Sequence, residues 1–258
     1  MTHPGISGQR SPASGVQRRP PRVVVIVPAA GAGRRMGRGV DKLGLRVGGV
    51  PLLAHTLRRL TASPFVGGVV VVARPGREQA VRRQCRAWNI PRILDVVAGG
   101  ATRTASVWRG LQAVPARTNL VLVHDGARPF PSAGLIARVV RDARRYGAAI
   151  AALPVTATVK EANGAHIVHR TVPRETLWLA QTPQGFRLQR LRRAYQRLVG
   201  RAASADAAVR RLALPDDAAV VERAGGRVRL VAGEPENIKV TVPSDLLLAE
   251  ALWRARRR

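Results

Sequence analysis

Residues 23–37 read Val-Val-Val-Ile-Val-Pro-Ala-Ala-Gly-Ala-Gly-Arg-Arg-Met-Gly. Val23 to Val27 is a near-continuous, β-branched apolar run, the pattern of a strand buried on both faces. The small residues that follow predict a loop, because helical periodicity returns only near Pro51. The alternation then repeats. Val69–Val72, Ile93–Val97, Leu120–Val123 and Ala148–Leu153 predict further inner strands. Pro51–Leu60, Arg77–Ala87, Thr102–Ala113 and Ser132–Tyr146 predict helices, with Pro51 suited to a first turn and Thr102 and Ser132 to N-caps. Strands and helices in alternation predict an α/β, Rossmann-like fold, a mostly parallel sheet with helices on both faces. Ligands of such sheets bind beyond the carboxyl ends of the strands. Gly31, Gly100 and Asp125 all fall there.

One segment breaks the alternation. Val155–Lys160, then Ala162-Asn163-Gly164, then His166–Val172 predict a β-hairpin arm over about residues 155–175. Asn163-Gly164 is a strong turn signal whose two central residues take positive φ. A hairpin projecting from an α/β core must bury its apolar side, which predicts a homodimer joined through this arm. Beyond it, helices are expected over Leu188–Val199 and around Asp206–Leu212, a strand over Val228–Val231, and a last helix opened by Pro243 and Asp245. Residues 1–21 are rich in Ser, Gly, Pro and Arg and lack the apolar stretch of a secretory signal. They are expected to form a disordered basic tail before a single domain over 22–258. No apolar run approaches the ~20 residues that span a bilayer, so a cytoplasmic protein without membrane contact is expected.

The formal net charge of +29 raises a nucleic-acid reading. The basic residues are nevertheless spread through the chain, and Phe, Trp and Tyr total 3%, too few for stacking platforms on single strands. No specific nucleic-acid partner is expected. Only three lysines stand among the arginines: Lys42, Lys160 and Lys239. Lys offers a compact point charge to phosphate where Arg offers a planar fork, which marks these positions for attention. Cys85 is the only cysteine, so it reads as a small hydrophobe. The five histidines do not cluster, and His166 and His169 would point to opposite faces of a strand, which argues against a zinc enzyme.

In the loop after the first strand, small residues let backbone N–H groups approach phosphate oxygens, and Arg35 and Lys42 can neutralise their charge. The string lacks the Gly-Lys-Ser/Thr ending of a Walker loop. Its third glycine, Gly37, comes one residue late for a dinucleotide fingerprint. A triphosphate loop and a Gly-rich surface turn with solvated arginines both remain open on this segment alone. Ala98-Gly99-Gly100 leads into Thr102–Ser106, a second Gly-rich turn that suits a base or ribose, or plain N-capping. Asp125 ends an inner strand in His124-Asp125-Gly126-Ala127-Arg128-Pro129. A carboxylate there can carry Mg²⁺, which favours one or two carboxylates plus phosphates and water; capping of the next turn is the structural alternative.

Taken in order, Pro28–Met36, Lys42, Gly99-Gly100, Ser106, residues 124–129, Thr182-Pro183-Gln184 and Glu236–Thr241 resemble the 2-C-methyl-D-erythritol 4-phosphate cytidylyltransferase family, over about residues 22–257. The last two motifs are the more specific. The resemblance implies a nucleotidyltransferase fold, CTP and a polyol phosphate as substrates, Mg²⁺ as cofactor, and a homodimer. It implies that Ala29, Ala30, Gly31, Gly33, Gly100 and Ser106 contact CTP and that Arg35 and Lys42 hold the triphosphate. It implies Asp125 for metal and acceptor, and Arg128, Thr158, Arg174 and Lys239 around the methylerythritol phosphate, with Arg174 reaching a neighbouring subunit. Arg35, Lys42, Lys239 and Arg174 are the implied catalytic set. Asp41 and Leu43 depart from the family's usual residues beside the lysine, and its Thr-Asp-Glu-Ala is read at Ala205–Ala208, with the threonine hydroxyl lost. No fused cyclase domain is expected after residue 257.

Overall fold

The computed structural model describes residues 22–31, 44–200 and 205–256; the tail read over residues 1–21 lies outside them. In chain order its strands are β1 (Val23–Pro28), β2 (Arg46–Val47), β3 (Val50–Pro51), β4 (Gly68–Ala73), β5 (Ile93–Ala98), β6 (Leu120–Val123), β7 (Ala148–Pro154), β8 (Val159–Ala162), β9 (Val168–Val172), β10 (Trp178–Arg187) and β11 (Arg229–Ala232). Its helices are α1 (Leu52–Ala62), α2 (Glu78–Ala87), α3 (Arg103–Gln112), α4 (Ala133–Tyr146), α5 (Leu188–Val199), α6 (Ala205–Leu212), α7 (Asp217–Arg223) and α8 (Pro243–Ala255). Seven strands form one sheet in the order β11-β7-β10-β6-β1-β4-β5. It is parallel except at β10, which runs antiparallel to β6 and β7.

The apolar run of β1 feeds two cores at once, as period-2 side chains require. Val23, Val25 and Val27 pack with Leu57 and Leu60 of α1 and with Val139, Val140 and Ala143 of α4. Val24 and Ile26 face the other way, towards α3 and α5, against Val107, Leu111 and Leu191. Cys85 joins the first core, and burial pushes its thiol up to about 11. A third, smaller cluster holds α8 over Val47, Leu52 and Phe130. Thr102 and Ser132 cap α3 and α4 as predicted, accepting from Ala105 and Leu135.

Two expectations need correction. No strand is predicted over Trp178–Arg187, yet β10 is the longest strand described, at 10 residues. Its ladder with β7 shifts between Ala180 and Gln184, around Thr182-Pro183, where a proline cannot donate. Gly185 fits because a Cβ there would lie 2.9 Å from Val139 Cγ1 on α4. The hairpin does form, from β8 and β9, but not with positive φ at Asn163-Gly164. The left-handed residue is His166, at φ 59°. Asn163 Oδ1 accepts from the Ala165 and Ile167 N–H groups, and the His166 N–H donates to the Asn163 carbonyl. A longer loop with an Asx turn replaces the two-residue turn, and His166 therefore sits in the turn rather than on a strand.

Candidate active site

The carboxyl ends of β1, β5 and β6 meet at one edge of the sheet, and the two Gly-rich turns pack against each other there. A Cβ on Gly99 would lie 2.6 Å from the Ala30 Cβ and 3.0 Å from Ser106 Oγ, so only glycine admits this approach. The Gly99 N–H donates to Ala73, and Arg109 Nη1 donates to the Gly99 carbonyl at 2.8 Å. Ser106 is buried; its hydroxyl accepts from the Gly100 N–H at 3.1 Å and donates to the Thr102 carbonyl at 2.9 Å. Its place in this chain is that of a brace beneath the turn. The Ala29 N–H is likewise committed, to Val72 in the neighbouring strand. Gly31 differs: it is exposed, and a Cβ there would meet nothing within 4 Å among the described residues. Gly33, Arg35 and Lys42 lie outside the described residues.

Asp125 stands two residues beyond β6, and three cations surround its buried carboxylate. Lys239 Nζ lies 2.6 Å from Oδ2, Arg103 Nε 3.4 Å from Oδ1, and Arg128 Nε 3.9 Å from Oδ2. Burial alone would raise its pKa, but Arg103, Lys239 and Arg128 outweigh that and hold it well below the usual carboxylate range. Arg128 is itself buried, and its Nη1 donates to the Asn237 carbonyl at 2.7 Å. This bond and the Val240 N–H donating to Ala127 lay residues 237–240 beside residues 125–129. The sequence thus names Asp125, Arg128 and Lys239 separately, and the fold brings them together.

Behind them runs a buried polar chain. The Asp125 N–H donates to Thr182 Oγ1 at 3.1 Å, and Thr182 meets His124 Nδ1 at 3.1 Å. His124 Nε2 lies 3.1 Å from the Arg128 carbonyl, which can only accept, so the ring proton sits on Nε2. Burial drives the His124 pKa down to about 4, leaving the ring neutral. Asn237, fully buried, donates through Nδ2 to the Thr182 carbonyl at 2.7 Å. Thr182 and Asn237 therefore shape the loop that carries Asp125.

Arg103 and Asp217 are the site residues that sequence reasoning missed. Arg103 opens α3, and its Nη1 donates to Asp217 Oδ2 at 2.8 Å while its Nε faces Asp125. Burial works against its charge, but Asp217 and Asp125 hold its pKa above the ordinary arginine value. Tyr195 donates to the other Asp217 oxygen at 3.0 Å. Gln184 Oε1 accepts from the Asp217 and Ala218 N–H groups, and its Nε2 donates to Asp216. The acids drawn to the site thus stand in Pro215-Asp216-Asp217-Ala218. The side chain of Asp206 is outside the described residues.

Thr158 and Arg174 lie exposed on the arm, where Arg174 Nη1 donates to the Thr156 carbonyl; the cations paired with Asp125 among the described residues are Arg103, Arg128 and Lys239. Among the described residues no group of three His, Cys, Asp or Glu side chains is placed to hold a metal ion, and no helix is long and apolar enough to cross a membrane. Asp125 offers a single carboxylate. That fits Mg²⁺ where phosphate oxygens and water complete the shell.

The 2-C-methyl-D-erythritol 4-phosphate cytidylyltransferase (IspD) family model matches residues 23–255. Enzymes of that name from Pelotomaculum thermopropionicum and Desulforamulus reducens are 43% and 40% identical, over 91% of this chain and 95% and 97% of theirs. The crystal structure of the Thermus thermophilus enzyme of that name is 42% identical, with TM-score 0.68 over 90% of this chain and 99% of that one. The 4-diphosphocytidyl-2C-methyl-D-erythritol synthase of Anaerococcus prevotii is 28% identical, with TM-score 0.74 over 90% and 98%. The fold is thus the Rossmann-like nucleotidyltransferase fold, and the chain belongs to the 2-C-methyl-D-erythritol 4-phosphate cytidylyltransferase family.

Proposed function

We propose that this chain transfers the cytidylyl group of CTP to 2-C-methyl-D-erythritol 4-phosphate, giving 4-diphosphocytidyl-2-C-methyl-D-erythritol and pyrophosphate. Beside family membership, one observation carries the reading: the Asp125–Lys239 pair at the end of an inner strand, next to two abutting Gly-rich turns. Incubating CTP and UTP with this acceptor and with ribitol 5-phosphate, and measuring pyrophosphate release, tests nucleotide and acceptor together.

An oxygen of the acceptor phosphate attacks the α-phosphorus of CTP, a new P–O bond forms, and the bond to the β-phosphate oxygen breaks as pyrophosphate leaves with its electron pair. The attacking phosphate is already anionic near neutral pH, so no residue is needed as a strong base. The task is to bring two anions together and to stabilise charge on the α-phosphate. Arg35 and Lys42 hold the triphosphate, and the turn at Gly100, braced by Ser106, receives the ribose and base. Backbone N–H groups of the loop from Ala30 and Gly31 through Gly33 approach the phosphates. Ala29 contributes by position, since its own N–H is committed. Lys239 and Arg128 meet the acceptor phosphate, and Asp125 orients Lys239. Asp125, together with phosphate oxygens, would hold Mg²⁺, which would supply additional charge neutralisation.

The arm completes the reading. It carries exposed Ile167 and Val168, with Trp178 and Leu179 following it on β10. An apolar patch of this kind is characteristic of an interaction surface. A homodimer that covers it would deliver Thr158 and Arg174 to the neighbouring active site. The tail over 1–21, the single domain that follows and a cytoplasmic location belong to the same proposal.

A further inference from the structure

We propose that Arg103, held by Asp217 and Tyr195, is a positioning residue that fixes the Asp125 carboxylate for acceptor binding. The inference rests on the cytidylyl-transfer reading and assigns that site a support from the opposite face of the sheet.

A guanidinium is planar and rigid, so fixing one nitrogen fixes the others. Asp217 fixes Nη1 at 2.8 Å, which sets Nε against Asp125 Oδ1 at 3.4 Å. With Oδ1 engaged, Oδ2 is left to Lys239 at 2.6 Å and Arg128 at 3.9 Å. Arg103 therefore decides which carboxylate oxygen faces the two cations meant for the acceptor. Asp217 is as firmly placed. It is 0% exposed, Tyr195 on α5 donates to Oδ1 at 3.0 Å, and Gln184 on β10 accepts the N–H groups of residues 217 and 218. Four elements, α3, α5, α7 and β10, thus converge on one guanidinium. A buried ion pair is seldom a net source of stability compared with apolar packing, and here its geometry ends on a site residue. No other carboxylate lies within ion-pair distance of Arg103 among the described residues.

The test combines steady-state kinetics, acceptor binding by calorimetry without CTP, and melting temperature. Tyr195→Phe and Asp217→Asn are each made in the native and the Asp125→Asn backgrounds. Positioning predicts that kcat/KM for the acceptor falls about 3–10-fold for Tyr195→Phe and about 10–100-fold for Asp217→Asn, with CTP KM unchanged within about twofold. In the Asp125→Asn background the further loss should shrink to about twofold or less, because the carboxylate through which the residues act is gone. Equal losses in both backgrounds, or an equal rise in both KM values, overturn the proposal. Tyr195→Phe, which removes one hydroxyl, keeps the test open if Asp217→Asn does not fold. A crystal structure of either variant gives a readout independent of turnover: Asp125 is expected to swing away from Lys239, and an unmoved Asp125 contradicts the proposal. A native protein inactive with this substrate pair refutes the cytidylyl-transfer reading instead, and the crystallographic arm still decides the role of Arg103.

Discussion

Lys239 Nζ lies 2.6 Å from Asp125 Oδ2, which ties the segment after β11 to the end of the inner strand β6. The pair is a preorganised cation beside the expected phosphates, and its lysine is one of three in the chain. Lys239→Ala should lower kcat/KM by about 10²–10³ through loss of transition-state stabilisation. The lysine side chain is 36% exposed, so the melting temperature should move little. Activity within about twofold of the native protein contradicts this role.

Gly99 and Gly31 should behave oppositely. Gly99→Ala places a methyl 2.6 Å from the Ala30 Cβ and pushes the two turns apart. It should destabilise the free protein and raise the KM for CTP at least about tenfold, in line with the sensitivity of bound geometry to small shifts. Gly31→Ala meets nothing among the described residues, so its melting temperature should stay the same. A raised CTP KM in that variant would report that nucleotide occupies the space, whereas unchanged affinity removes Gly31 from the site.

Much of this arrangement is legible from residue order, and the rest fails for identifiable reasons. Leu120–Val123 and Leu188–Val199 are read with their observed bounds because their periodicity is unbroken. The strand β10 is not read at all, since Pro183 and Gly185 interrupt the pattern; their reasons for being there, a ladder shift and the packing of α4, are tertiary. The hairpin is legible but its left-handed residue is not, because Asn163 uses its side chain in place of its φ. Asp125, Arg128 and Lys239 stand out by residue type and motif. Arg103 does not, because it is one arginine among many. Asp216-Asp217, an acidic pair in a chain with only 15 acids, is the signal that could have exposed it.

Stability should fall with acid through His124. Its pKa in the folded chain is about 4 against an ordinary 6.5. Below pH 6.5 the unfolded chain therefore binds a proton that the folded chain does not. Stability is lost as pH falls from 6.5 towards 4, by roughly 1.4 kcal/mol per pH unit for that one proton. His55, whose pKa burial also lowers, adds with the same sign. Asp125, with its pKa depressed, adds stability that is lost only at lower pH, below its ordinary 3.8. Asp217, whose pKa burial raises, acts with the opposite sign, so the His124 contribution is read as the difference between native protein and His124→Gln in denaturant titrations at pH 7.5, 6 and 5, the variant having the shallower loss towards acid. An unchanged slope in that variant contradicts the buried neutral ring.

Thr182→Val removes a hydroxyl that accepts from the Asp125 N–H and donates to His124. Leaving those buried groups unpaired should cost about 1–3 kcal/mol, read as a lower denaturant midpoint. Thr182→Ser should restore most of it. Equal loss in both variants would mean that packing of the methyl group, not the hydroxyl, sets the loop.

The arm predicts complementation in trans. Arg174→Ala and Lys239→Ala should each be nearly inactive alone. When the two are unfolded together and refolded, half of the dimers should be mixed and carry one intact site. About a quarter of native activity should then return, as expected for random pairing in a two-fold dimer. No recovery would place Arg174 in its own subunit's site or outside any site.

Cytidylyl transfer to the acceptor phosphate is read out by following labelled oxygen through the reaction. 2-C-methyl-D-erythritol 4-phosphate with ¹⁸O in its phosphate is incubated with CTP and Mg²⁺, and both products are analysed by mass spectrometry. All label is expected in the diphosphate of 4-diphosphocytidyl-2-C-methyl-D-erythritol, with unlabelled pyrophosphate released in equal amount. Label in the pyrophosphate, or no turnover of this acceptor with CTP, would contradict the account.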